Sequence, residues 1–213
     1  MKICIAGLSG SGKNSVGRYV AEKLSFKLVD PTFKTIAAKQ KMSLMDFHRK
    51  AEHEHSIDKS FDAHLISEAK NGNCVVTTWL GPWMIKDADI RVWLYAPSSA
   101  RAARVAKRDG MSEEEANKHI SERDESNRMR YLEIYKIDIY DHSGFELVIN
   151  SEKFMPEESA NIIVAAAEAK MKGAQLPSKK KAASASSSGS MSDAFSRGKR
   201  TSAKNKAKAK KKK

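Results

Sequence analysis

The stretch "GLSGSGKNSVG", Gly7 to Gly17, follows the apolar run "KICIA" and leads straight into "RYVAEKL". Gly7, four residues, then Gly12 and Lys13 give the spacing of a phosphate-binding loop. The context such a loop needs is also present, with a strand-like run before it and a helical pattern after it. Glycines here let backbone N–H groups converge on phosphate oxygens, and the helix start adds its positive end. The segment Gly7, Leu8, Ser9, Gly10, Ser11, Gly12, Lys13, Asn14 and Ser15 is therefore expected to cradle nucleotide phosphates, with Lys13 reaching the outer two. Asn14 stands where such loops usually place a hydroxyl for magnesium. Its amide oxygen and the neighbouring Ser15 still offer oxygen to a cation that keeps several of its waters.

Working outward, strands are expected at 2–6, 26–29, 74–78, 90–96 and 145–150. Each is continuous in apolar or β-branched residues, as strands buried on both faces are. Helices are expected over 13–24, from Ser43 with Asp46 as a capping pair, over 56–71, from Ser112 with Glu115, and from Pro156 to Gly173. Strands separated by helices imply an α/β fold, with a five-stranded parallel sheet flanked by helices and ligands at the carboxyl ends of the strands. Asp30 ends the second strand and has two readings: it holds a magnesium-bound water, or it caps the helix after Pro31.

The net charge of +13 suggests a nucleic-acid binder until it is divided along the chain. From Ser178 onward there are 13 Lys and Arg against one acid, Asp193, which leaves 26 bases and 25 acids in residues 1–177. The basic character belongs to residues 174–213, a Lys/Ser/Ala-rich tail with too few apolar groups to offset the entropy of folding, and it is expected to be disordered. Three readings stand for it: a solubilising extension, an address signal, or a nonspecific tether to RNA or another polyanion, the last slightly favoured. Residues 1–173 form the folded domain. No run of about 18 apolar residues exists, so a soluble, cytoplasmic protein without a membrane span is expected. Cys4 and Cys74 sit in apolar strands and read as buried, reduced thiols.

The stretches "KDADIRVWLYAPSSARAARVAKRDG", "ERDESNRMRYLEIYKIDIYD" and "FELVIN" with "PEE" after it resemble the archaeal-type cytidylate kinases, a P-loop family of nucleoside monophosphate kinases. The resemblance spans about residues 1–172. It implies transfer of the γ-phosphoryl of ATP to CMP or dCMP, with magnesium as cofactor, by a monomer with a helical lid at about 110–140. It also places Arg123, Arg128 and Arg130 over the phosphates, and Arg123 and Arg130, seven apart, would share one helical face. Phosphoryl transfer needs such cations, since the protein's part is positioning and charge stabilisation.

The acceptor half departs from the family pattern. Lys34 stands for an arginine, Thr77, Thr78 and Trp79 stand where the family reads roughly "EGR", and Ala63 or His64 replaces another arginine. Asp62 matches, and would accept a hydrogen bond from a base amino group. Two alternatives to the kinase therefore stay open: a noncatalytic nucleotide-binding protein with an RNA-docking tail, and a kinase for another small phosphate acceptor. His48, His53 and His55 read as solvated surface, with a metal site as the sharper alternative. Trp79, Trp83 and Trp93 read as core or pocket wall, since no basic residues interleave with them.

Overall fold

The computed structural model describes residues 1–173. The lysine-rich tail, with its expected disorder and polyanion contact, lies outside the described residues. Five strands, β1 (Lys2–Ala6), β2 (Lys27–Val29), β3 (Cys74–Val76), β4 (Ile90–Tyr95) and β5 (Leu147–Asn150), form one parallel sheet in the order β2-β3-β1-β4-β5. Alternation along β1 divides the core. Ile3 and Ile5 face α1 (Lys13–Leu24) and α8 (Pro156–Met171), packing with Val16, Val20 and Ile163, while Cys4 faces the other way with Val76, Leu65 and Ile85. Both cysteines are buried and free, and burial pushes both thiols up.

Four strands are shorter at their ends than the apolar runs suggest. Thr77 and Thr78 extend the β-branched pattern of β3 but leave the ladder, because the chain turns there into the short α5 (Gly81–Met84); Thr78 Oγ1 accepts from Gly81 N at 2.9 Å. The helix after β2, α2 (Phe33–Lys39), is capped by Thr32, whose hydroxyl accepts from Thr35 N at 3.1 Å, so Asp30 is not its cap. Next comes α3 (Leu44–His53), opened by Ser43 accepting from Asp46 N, and then α4 (His55–Glu68). The break at Glu54 puts His53 and His55 in different helices. No group of three or more His, Cys, Asp or Glu among the described residues is placed to hold a metal ion. His48 is a correction to the surface reading: only 4% of it is exposed.

The hairpin over the sheet's carboxyl end is made by α6 (Ser98–Asp109) and α7 (Glu113–Tyr135). Ser112 and Glu115 form a full capping box at the start of α7. Its upper part packs on α6 through Val105, Ala116 and Ile120. Farther down, two buried ion pairs fix it: Asp124 to Arg101 of α6 at 2.6 Å, and Arg130 to Asp58 of α4 at 2.9 Å. Among the described residues no helix is long and apolar enough to cross a membrane.

Breaking one half of the lower pair leaves a buried charge without a partner, which costs far more than an exposed ion pair contributes. Asp58→Ala should therefore lower the unfolding free energy by about 3 kcal/mol in urea melts. A loss below about 1 kcal/mol, the range of an exposed pair, would show that α7 is not anchored there.

Candidate active site

The phosphate loop is shaped from behind by donors to its carbonyls. Arg101 Nη1 donates to Ser9 O at 2.8 Å, Arg104 Nη1 donates to Gly10 O and Ser11 O at 3.3 and 3.4 Å, and Ser151 Oγ donates to Ser11 O at 2.8 Å. In a trans peptide the N–H lies anti to the carbonyl. Tying the Ser9 and Ser11 carbonyls outward therefore aims the N–H groups of Gly10 and Gly12 the other way, toward the cleft those residues line. Asp124 completes the clamp by accepting from Ser9 N at 3.1 Å while paired with Arg101. Gly10 is required here, since its φ is 79° and a Cβ would lie 2.6 Å from Arg101 O. Gly12, at φ 91°, is the N-cap of α1 and brings no side chain to cover the free N–H groups of the first turn.

In front of the loop lies a cleft of about 920 Å³. Its walls come from Gly10–Ser15, the turns after β2 and β3, one face each of α6 and α7, and the loop from Ser151 to Pro156. Seven basic side chains line it (Lys13, Arg18, Lys34, Arg104, Lys107, Arg108 and Arg123) against two carboxylates, Asp62 and Glu152. Such a balance suits a polyanion. Burial, then the nearby Arg123, pushes the Lys13 ammonium down to about 8, and its Nζ lies 5.5 Å from the Trp79 ring centre.

The structure brings Gly10 to Ser15, Lys13, Lys34, Asp62 and Arg123 to this cleft, while Gly7, Leu8 and Ser9 lie beneath the loop. Asp30 is outside the lining, although Pro31 and Thr32 are in it. Arg128 and Arg130 are also elsewhere. Arg128 pairs with Glu125 and lies over Tyr140, and Arg130 is spent on Asp58 and Asn127. The seven-residue step from Arg123 keeps Arg130 on the same face but carries it about 10 Å along the axis, where α4 supplies Asp58. The residues on α7 that do reach the cleft are Arg123, Asn127 and Tyr131, at successive steps of four. Sequence reasoning missed Arg101, Arg104 and Arg108, whose spacing of three and four residues puts them on one face of α6 and was the available signal. Asp124 and Ser151 gave no comparable signal.

Comparison with known proteins places this geometry. Residues 2–153 match the cytidylate kinase-like family. The chain is 43% identical over 166 residues to the cytidylate kinase of Pyrococcus horikoshii, covering 77% of this chain and 86% of that one. The chain belongs to the cytidylate kinase-like family. A second family relative, the cytidylate kinase of Pyrococcus abyssi, is 42% identical over 77% of this chain and 92% of its own. The shikimate kinase of Acinetobacter baumannii, solved with shikimate, shares the fold at TM-score 0.52 and 18% identity, over 82% of this chain and 94% of that one.

In family terms the phosphate donor is ATP, and a triphosphate bound in this cleft would give Lys13 an anionic partner. An anion favours the charged ammonium and raises a pKa that stands near 8 in the free protein. ATP binding above about pH 8 should therefore take up a proton, read by calorimetry in buffers of different ionisation enthalpy. Lys13→Met should abolish that uptake. Equal uptake by both proteins would remove Lys13 from the phosphate site.

Proposed function

We propose that this protein is an ATP-dependent cytidylate kinase that transfers the γ-phosphoryl of ATP to CMP, with dCMP as a second acceptor. The observation that carries this reading is that one cleft is lined both by a phosphate cradle with Lys13 and by the buried carboxylate of Asp62. Arg123 from α7 and Arg108 from α6 belong to the same lining, as a transferring phosphoryl group bridging two nucleotides requires.

The roles follow from chemistry. Gly10 to Ser15 hold the donor phosphates through N–H groups, and Lys13 and Arg123 offset the charge spread over the transferring group. Lys34, exposed and 3.8 Å from Asp109, offers a point charge to the acceptor phosphate. Magnesium fits as an ion carried on the nucleotide: the loop offers the Asn14 amide and the Ser15 hydroxyl but no carboxylate, with Asp30 outside the cleft. Bound there, it would offset charge on the β- and γ-phosphates. The α6–α7 hairpin acts as the lid, and its lower half is pinned by the Asp124 and Arg130 pairs.

A screen of ribo- and deoxyribonucleoside monophosphates with ATP, read as diphosphate formation, tests the proposal. CMP should be turned over fastest, and Lys13→Ala should lose at least about a hundredfold in rate while keeping its fold. Turnover of a different monophosphate in place of CMP would reassign the acceptor. No turnover of any would overturn the enzyme reading.

Asp62 adds a pH signature. Burial pushes its carboxyl up to about 6, although Tyr135 Oη donates to Oδ2 at 2.6 Å. Only the ionised form accepts freely from the amino group of cytosine, so the protonated acid, present below pH 6, binds CMP less well. KM for CMP should rise as pH falls through 6. Asp62→Asn, whose amide oxygen accepts at every pH, should leave only the titration of CMP's own phosphate, near pH 6. Identical profiles for the two proteins would remove Asp62 from the base contact.

A further inference from the structure

Several buried polar side-chain atoms without hydrogen-bond partners belong to residues that line the cleft: His48 Nδ1 and Nε2, Asn127 Nδ2, Thr77 Oγ1 and Arg123 Nε. His48 stands apart because both of its polar atoms are unpaired. It comes from α3, and its ring lies against Phe33 of α2, centroids 5.2 Å apart. Phe33 also meets Phe47 edge-on at 5.0 Å and Phe61 at 5.2 Å, so the imidazole packs on the central ring of an aromatic cluster. A site of that kind suits Phe or Leu. An imidazole there gives up its hydrogen bonds to water and recovers none within the protein, a loss that a bound ligand would repay.

The charge state follows from burial and from the cations of α7. Burial, then Arg123 and then Arg130, both on α7, push His48 down to about 3. The ring is therefore neutral, with one nitrogen carrying hydrogen and the other a lone pair. Asp62, next to Phe61 on α4, supplies a carboxylate to the same lining. Asn127 is oriented by Arg130, whose Nη2 donates to Oδ1 at 2.8 Å, and this leaves Nδ2 as the free end.

We propose that His48, with Asn127 of the same lining, is a contact to the acceptor's base, the two giving hydrogen bonds to the cytosine edge that Asp62 accepts from. The proposal rests on the cytidylate kinase reading. Cytosine presents one amino donor and two acceptors, the ring N3 and the O2 carbonyl. The amino group goes to the carboxylate of Asp62, and the two acceptors need neutral donors, which the imidazole N–H and the Asn127 amide are. Uracil presents a carbonyl oxygen where cytosine has its amino group and an N–H at N3. It would set an oxygen against Asp62 and a donor against a donor, so the trio selects cytosine over uracil by unpaired groups as much as by paired ones.

The test uses the full-length protein carrying 15N-labelled histidine. CMP should shift the ring nitrogen resonances of His48, assigned by their absence in His48→Phe, whereas a non-hydrolysable ATP analogue alone should leave them in place. His48→Phe removes two unpaired atoms from an aromatic site, so it should melt no lower than wild type while KM for CMP rises about fivefold or more and KM for ATP holds. His48→Gln, which keeps a donor and an acceptor, should recover part of the CMP affinity, and it serves for the assignment if the aromatic variant does not fold. CMP binding that leaves the His48 resonances unmoved, or an unchanged KM for CMP in both variants, overturns the role of His48 and leaves the kinase standing. Failure of the wild-type protein to bind CMP at millimolar concentration overturns both.

Discussion

A loop that binds anions through its backbone must turn its carbonyl oxygens away, and oxygens turned into a protein interior need donors. The structure around Gly7–Gly12 is organised by that need. Arg101, Arg104 and Ser151 take the carbonyls of Ser9, Gly10 and Ser11, and they come from α6 and from the segment after β5. The sheet order matters for the same reason. With β4 and β5 following β1 in the sheet, the loop lies where the chain can bring both α6 and the turn after β5 against it, the two joined by Arg104 donating to Ser151. The arginines that look like spare positive charge in the sequence are in part structural, and the loop's N–H groups are free for ligand because these side chains hold the oxygens.

The cleft lining is of two kinds. One is fixed dipoles and cations, with mutual repulsion among Lys13, Arg108 and Arg123. The other is aromatic, Phe33, Phe61, Trp79 and Tyr131, in company with Asp62 and His48. Trp79 joins the two. Its ring stands under Lys13 and 6.4 Å from Tyr131, so the residue occupying the family's arginine position has become part of the cleft wall.

The sheet could be read from the sequence because each strand is dominated by apolar or β-branched residues, only β3 being unbroken, and because the stretches between strands carry helix caps and helical spacing. Capping pairs at Ser43 and Ser112 located two helix starts correctly for a local reason, since both partners lie within one turn. The site was legible where it depends on local backbone, from Gly10 to Ser15. It was not where it depends on distant partners. Nothing near Arg130 announces Asp58, 72 residues away, and nothing near His48 shows that Phe33 and α7 will bury it. A resemblance supplied the arginines as a set; packing decided that Arg123 faces the cleft while Arg130 serves as an anchor.

One helix touches both the phosphate loop and Asp62. Asp124 on α7 accepts from the loop, and Tyr135, at the helix's last turn, donates to Asp62. Eleven steps of continuous α-helix lie between them, a rod of about 16 Å whose length is set by its own backbone hydrogen bonds. Loop and carboxylate are thus spaced by a caliper with a fixed gauge. The gauge tolerates substitution on its outer face but not a change of register, because one inserted residue would rotate everything beyond it by about 100°. Change around Asp62 is consequently confined to side chains hung on a frame of constant dimension.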